Sequence, residues 1–174
     1  MLEQDISLDD FVVSNQTLSL DNIQTRFISG TWPDIPIGEV TQAVFDQAVK
    51  NLHTFSVVGI TENFDQSLEI LKEKYQWQIT SYSSLNVTDK RPRKNEINLE
   101  TIKAIQLRNH WDIKLYEIAK RIHRKQYLKT QILVFVKKIG RRIFTVLDRI
   151  PIIRRLLLAK NVNERVGMLL RRMF

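Results

Sequence analysis

Two stretches of this 174-residue chain carry side chains that could do chemistry. The first, Asn86-Val87-Thr88-Asp89-Lys90-Arg91-Pro92-Arg93-Lys94, sets four basic side chains beside amide and hydroxyl groups. Its proline stops regular structure, so a surface loop is expected, with ammonium, guanidinium and backbone N–H donors of the kind that recognise phosphate. A solvated basic loop with no ligand has the same composition. The second, Asn22-Ile23-Gln24-Thr25-Arg26-Phe27-Ile28-Ser29-Gly30, mixes amide, hydroxyl and guanidinium groups with apolar residues. Such a cluster beside a core often lines a cleft, and Arg26 is then a charge facing that cleft, one half of a structural ion pair, or a charge on a helix surface. The three histidines, His53, His110 and His123, do not stand at metal-ligand spacing, so no metal site is expected. There is no cysteine, which excludes thiolate chemistry and disulfides and is compatible with a reducing cytoplasm.

These groups need a scaffold, and Phe55–Lys74 is its centre. Phe55-Ser56-Val57-Val58-Gly59-Ile60 is a short apolar, β-branched run, which predicts a strand covered on both faces. Thr61 can cap a following helix, and Glu62 and Asp65 place negative charge where the helix dipole favours it. Phe64, Leu68, Leu71 and Tyr75 recur at spacings of three and four, giving the helix one packing stripe. The result is a strand–turn–helix unit of an α/β domain. Upstream, residues 6–13 predict a short helix that Ser7 can cap, Trp32–Gly38 is a loop broken by two prolines and a glycine, and Thr41–Leu52 predicts a helix burying Val44, Phe45, Ala48, Val49 and Leu52. His53 falls at the junction with the strand, where a surface or hydrogen-bonded histidine is commoner than a catalytic base. Downstream, Trp77–Tyr82 alternates as a short strand or extended segment. Helical periodicity over Leu99, Ile102, Ile105 and Leu107 is interrupted at Asn109–Asp112 and resumes with Ile113, Leu115, Tyr116, Ile118 and Ala119, with Asp112 a candidate cap for the second piece.

The net charge of +8 divides sharply by position. Residues 1–120 carry 12 Lys and Arg against 17 Asp and Glu, a balance of −5, whereas residues 121–174 carry 15 against 2, a balance of +13. An acidic domain followed by a basic tail is expected, the tail suited to anionic surfaces. The N-terminus lacks a basic region and an apolar core, so a secretory signal is not expected, and the expected location is the cytoplasm or the periphery of a membrane.

The order of segments carries a resemblance. DNIQTRF, a helix ending AVKNL, then FSVVGITENFDQSLEIL, LNVTDKRP and ETIKAIQLRNHWDIKLYEIAK together look like the C-terminal half of the Golgi-type carbohydrate sulfotransferases, heparan sulfate 6-O-sulfotransferases and bacterial relatives in particular. The match covers roughly residues 5–128. It implies part of a parallel-sheet sulfotransferase fold, mostly helical as it stands, and transfer of the sulfuryl group of phosphoadenosine phosphosulfate (PAPS) to a carbohydrate hydroxyl in the complete family member. By the same resemblance Thr88, Arg91 and, less closely, Lys90 are matched to contacts with PAPS in a loop that closes over the nucleotide. By that resemblance Gln24, Thr25 and Arg26 fall in a polar segment near the cleft, with Gln24 and Arg26 matched to the substrate and Arg26 either holding an anionic acceptor or supporting the nucleotide pocket. The family's phosphosulfate loop, Lys-x-Gly-x-Thr/Ser at a helix N-terminus, has no counterpart. None of the five glycines, Gly30, Gly38, Gly59, Gly140 and Gly167, follows lysine at that spacing. The family's catalytic histidine is absent too, so no catalytic residue is assigned and the chain alone is not expected to sulfate a sugar. It is then a truncated product, a degenerate copy, or a subunit whose N-terminal half is a separate chain.

Residues 1–129 are accordingly expected as a partial sulfotransferase-like domain and 130–174 as a basic amphipathic helical tail. In the tail Ile132, Phe135, Val136, Ile139, Ile143, Val146, Leu147 and Ile150 form an apolar stripe, while Lys137 and Arg141, and Lys138 and Arg142, pair at i, i+4 on another face. Pro151 ends this piece. No apolar run approaches the roughly 20 residues that cross a bilayer. The stripe of residues 130–160 can lie on an anionic membrane, pack on residues 1–120, or meet a second copy. Nucleic acid is disfavoured, because no aromatic stacking platform accompanies the basic groups. A non-enzymatic binding module with a membrane-surface tail is the alternative to a sulfotransferase part.

Overall fold

Helices dominate the structure, a computed structural model that describes residues 8–13, 17–79, 81–83 and 94–151. In chain order they are α1 (Leu8–Val13), α2 (Ile23–Ser29), α3 (Gln42–Thr54), α4 (Phe64–Tyr75), α5 (Leu99–Arg108) and α6 (His110–Asp148), with short 3-10 turns at Leu18–Leu20, Thr61–Asn63 and Lys94–Glu96. The chain divides into two compact units, Met1–Tyr127 and Leu128–Phe174.

The core of the first unit gathers Phe45, Ala48 and Leu52 from α3, Val58 from the segment after it and Leu115 from α6. Their spacing of three and four on α3 is the stripe expected from the sequence, and the Phe45 and Trp111 rings stack with centroids 5.0 Å apart. The break expected near Asn109 is observed. Asn109 separates α5 from α6 and its backbone N–H closes α5 on the Ile105 carbonyl.

The expected strand is corrected. No β-strand occurs among the described residues, and Phe55–Ile60 has no neighbouring strand. Its ends are extended, with φ −67° and ψ 129° at Phe55 and φ −124° and ψ 126° at Ile60. Side chains meet its backbone where a strand neighbour would. The Val58 N–H donates to Gln126 Oε1 at 2.9 Å, and the Ile60 N–H donates to Ser67 Oγ at 3.0 Å. His123 Nδ1 lies 3.0 Å from the Val58 carbonyl, so that nitrogen carries the proton and donates. Lys74 Nζ donates to the Ser56 carbonyl at 2.8 Å. The expected strand was to be covered on both faces; instead Phe55, Ser56 and Gly59 are exposed and only Val58 and Ile60 are buried, because sheet membership requires a partner that local pattern does not specify. Trp77–Ile79 and Ser81–Ser83 are likewise without regular structure.

The start of the next helix also shifts. Thr61 opens a 3-10 turn and the α-helix proper begins at Phe64, so the expected capping by the Thr61 hydroxyl is not what starts it. Ser67, one turn inside α4, lies instead within 3.0 Å of the Asn63 carbonyl and ties the turn to Ile60.

Candidate functional site

The polar cluster at residues 21–26 meets the interruption at residues 108–112, and the two N-termini cap each other. Asn22 adopts a left-handed backbone, φ 48° and ψ 44°, which asparagine tolerates better than most residues. That conformation turns its amide away from its own helix. Oδ1 accepts from the N–H groups of Trp111 at 2.9 Å and Asp112 at 3.2 Å, in the first turn of α6, and Nδ2 donates to the Arg108 carbonyl at 2.6 Å. In return the Asp112 carboxylate accepts from the N–H groups of Gln24 at 3.0 Å and Thr25 at 2.7 Å, in the first turn of α2, and from the Thr25 hydroxyl at 2.7 Å. Each helix thereby satisfies free N–H donors of the other. Asp112 was expected to cap its own helix; the acceptor it supplies serves α2.

Arg26 lies at the centre of this junction and is fully buried. Its Nε donates to the Asp21 carbonyl at 2.8 Å, Nη1 to the Ile35 carbonyl, and Nη2 to the Asp21 carboxylate and to the Pro36 carbonyl at 2.8 Å. The same Asp21 carboxylate accepts from the Gly38 N–H at 2.8 Å, where a φ of +82° suits glycine. A buried charge is tolerated only when paired and hydrogen-bonded. The guanidinium meets both conditions by fastening α2 to the loop at residues 35–38, and it points at no open cleft.

Gln24 behaves differently. It is exposed and borders an open groove of about 410 Å³ in the first unit. The groove runs beside residues 55–61 and is floored by Ile28, Leu52, Leu115 and Ala119, with Glu62, Asp112 and Tyr116 also at its wall. Desolvation and then the hydrogen bond with Glu62 push the Tyr116 phenol above its ordinary value, so it stays a neutral donor. The lining includes two carboxylates and neither lysine nor arginine. This donor set does not fit a phosphosulfate or a nucleotide phosphate, which call for cationic or N–H donors.

Thus Gln24 and Arg26 share a helix but not a site. Thr88, Lys90 and Arg91, matched to PAPS, lie outside the described residues. His53 is exposed at the end of α3, and no group of three His, Cys, Asp or Glu side chains among the described residues could hold a metal ion. No structural role was expected from the sequence for Ser67, His123 and Gln126, which hold backbone groups of Val58 and Ile60; their partners are 7, 65 and 68 positions away.

No protein-family model, curated protein or solved structure matches the chain.

Proposed function

We propose that residues 1–129 are the C-terminal part of a carbohydrate sulfotransferase-type domain, one that moves the sulfuryl group of PAPS to a sugar hydroxyl when completed by a phosphosulfate loop from another segment. The observation that supports this reading is the unit Phe55–Tyr75. An apolar segment runs into a tight turn and then into α4, the order of elements that the resemblance implies. The 174 residues alone transfer no sulfate, because they hold no Lys-x-Gly-x-Thr loop and the described groove has no cation for a phosphosulfate. In the completed domain the nucleotide is held by that loop together with Thr88, Lys90 and Arg91, and the carbohydrate acceptor reaches the groove wall at Gln24.

The test is complementation. A segment carrying strand, Lys-x-Gly-x-Thr loop and helix is joined to the chain, and transfer of labelled sulfate from PAPS to heparan-type oligosaccharide is measured. Transfer is expected only in the joined protein, and Arg91→Ala in it should weaken PAPS binding by about 1.5–3 kcal/mol, the worth of a charge-assisted hydrogen bond. Sulfate transfer by the 174 residues alone, or nucleotide affinity indifferent to Arg91, would refute the assignment.

A second role belongs to the other unit. Ile132, Phe135, Ile139, Ile143 and Val146 are exposed on α6, and Lys138, Arg141 and Arg142 are exposed on the same stretch. None of the described helices is long and apolar enough to cross a membrane. The pattern suits peripheral attachment, in which the apolar stripe enters the headgroup boundary and each nearby cation adds about 1 kcal/mol of attraction to anionic lipid. Flotation with phosphatidylserine vesicles at low salt should carry the full chain upward and leave behind a chain lacking residues 130–174. Equal flotation of the two, or none, would assign the stripe to packing on protein.

A further inference from the structure

One chemical group of the second unit has no part in attachment to a surface. Residues 128–174 contain two hydroxyl side chains, Thr130 and Thr145, and no serine or tyrosine. Thr130 is buried, whereas Thr145 is exposed in the last turn of α6, which ends at Asp148. Its Oγ1 donates to the Arg141 carbonyl at 2.8 Å, one turn back. That bond uses the hydroxyl proton and neither oxygen lone pair.

The face around Thr145 is cationic. At the α-helical turn angle, Lys138, Arg141 and Arg142 lie within about 60° of Thr145 around the axis, while Ile139 and Ile143 lie about 120° and 160° away. All five are exposed. Arg149 follows in the turn that closes the helix, where its N–H donates to the Val146 carbonyl at 3.2 Å. Thr145 thus stands among the cations and away from the apolar stripe. Over residues 132–150, five Lys and Arg against one acidic residue leave a balance of +4. A phosphate carries about −1.5 to −2 at pH 7, so at this one hydroxyl it would remove close to half of that balance.

The residues before Thr145 form a recognition pattern. Arg141 and Arg142 stand four and three positions ahead of it, with Ile143 and Phe144 between, which suits a kinase cleft lined with carboxylates that selects its substrate by charge pattern. Such a cleft takes its substrate extended, and a site in the last turn requires only that the fraying end of the helix open. Ser29 is the other serine or threonine with arginine three positions ahead, but Ser29 and Arg26 are both buried.

We propose that Thr145 is a phosphorylation site for a protein kinase that reads arginine on the N-terminal side of its target, and that the phosphate releases the tail from an anionic membrane. The Thr145 Oγ attacks the γ-phosphorus of a nucleoside triphosphate. As the Oγ–P bond forms, the bond from that phosphorus to the bridging oxygen breaks, the nucleoside diphosphate leaves with the electron pair, and the hydroxyl proton passes to a base of the kinase. The phosphate then meets Arg141 and Arg142, at i−4 and i−3, in charge-assisted hydrogen bonds, so these cations face it instead of lipid. Its charge also opposes the carbonyl end of the helix dipole, which loosens the same turn. Both effects weaken attachment. The inference rests on the reading of the stripe as a membrane-facing surface and names how that attachment is controlled.

The full chain is incubated with labelled ATP and a threonine kinase selective for arginine three positions before its target, and the label is mapped by mass spectrometry. Label is expected on Thr145, absent from Thr145→Val and slowed in Arg142→Ala. The full chain carrying phosphothreonine at position 145 is then floated with phosphatidylserine vesicles at low salt beside the unmodified chain and Thr145→Val. Two added negative charges should lower partition roughly thirtyfold, whereas Thr145→Val should float as the unmodified chain does. Equal flotation of the phosphorylated and unmodified chains overturns the switch. A chain that is labelled at Thr145 and never floats overturns the switch together with the attachment reading. A chain that floats and takes no label at Thr145 overturns the modification site and leaves attachment standing.

Discussion

The junction around Arg26 and the segment Phe55–Ile60 treat their backbone groups in opposite ways. At the junction a polar stretch is drawn inward until its charge is enclosed: Arg26 and Thr25 are fully buried, and Asp21, Asn22, Asn109 and Asp112 all bond to neighbours. At residues 55–60 an apolar stretch is only half enclosed: Ser56, Val58 and Ile60 have backbone groups bonded to side chains, whereas those of Val57 and Gly59 have no partner among the described residues. Arg26, which resembled a binding residue, holds the fold together, and the segment that resembled core is only partly enclosed. Chemical type alone does not distinguish a site from a strut. The distinction is whether donors and acceptors are already matched, because unmatched groups beside an apolar floor gain most from a partner.

The largest effect should come from opening the closed region. Arg26→Ala leaves the Asp21 carboxylate without its cation in a buried place, and a loss of about 3–5 kcal/mol is expected, measured by urea denaturation. A loss below about 1 kcal/mol, the range of an exposed pair, would erase the contrast drawn above. Asp112→Ala strips three donors of α2 of their acceptor and should cost about 1.5–3 kcal/mol, whereas Asp112→Asn, which keeps one carbonyl acceptor, should cost less. Were Asp112→Ala silent in the same assay, reciprocal capping would not be what joins α2 to α6.

Smaller effects sharpen the other side. Ser67→Ala leaves the Ile60 N–H without its acceptor, for a loss of about 1 kcal/mol. Gly59→Ala should reverse the sign. A Cβ there would lie 3.5 Å from Ser67, in ordinary contact, and the residue has no positive φ, so reduced freedom of the unfolded chain should stabilise by about 0.4–1 kcal/mol. Destabilisation instead would mean that Gly59 is needed by the free fold and that its surroundings are less open than described.

Much of the helical framework was legible from spacing. Phe45, Ala48 and Leu52 declared the buried stripe of α3, and the polar run at Asn109 declared the break between α5 and α6. What pattern could not convey was the partner of each polar group. Asp112 was recognisable as a cap, but the helix it caps lies about ninety positions away in sequence. The apolar run at 55–60 announced an extended backbone; that Gln126 and His123 would meet it was fixed by packing across 68 and 65 positions. Of the groups matched to an acceptor, Gln24 reaches the groove and Arg26 does not, a difference set by which way each faces on one short helix.

The contrast between the closed junction and the half-enclosed segment can be measured in a single experiment, amide hydrogen exchange of the full chain without any ligand. Thr25 and Gly38, which donate to the carboxylates of Asp112 and Asp21, and Val58 and Ile60, which donate to side chains, should exchange slowly. Val57 and Gly59 should exchange faster than Val58 and Ile60 by on the order of a hundredfold, because their N–H groups make no hydrogen bond among the described residues. Protection of Val57 and Gly59 equal to that of their neighbours in the dilute free protein would contradict the account, since those groups would already be paired.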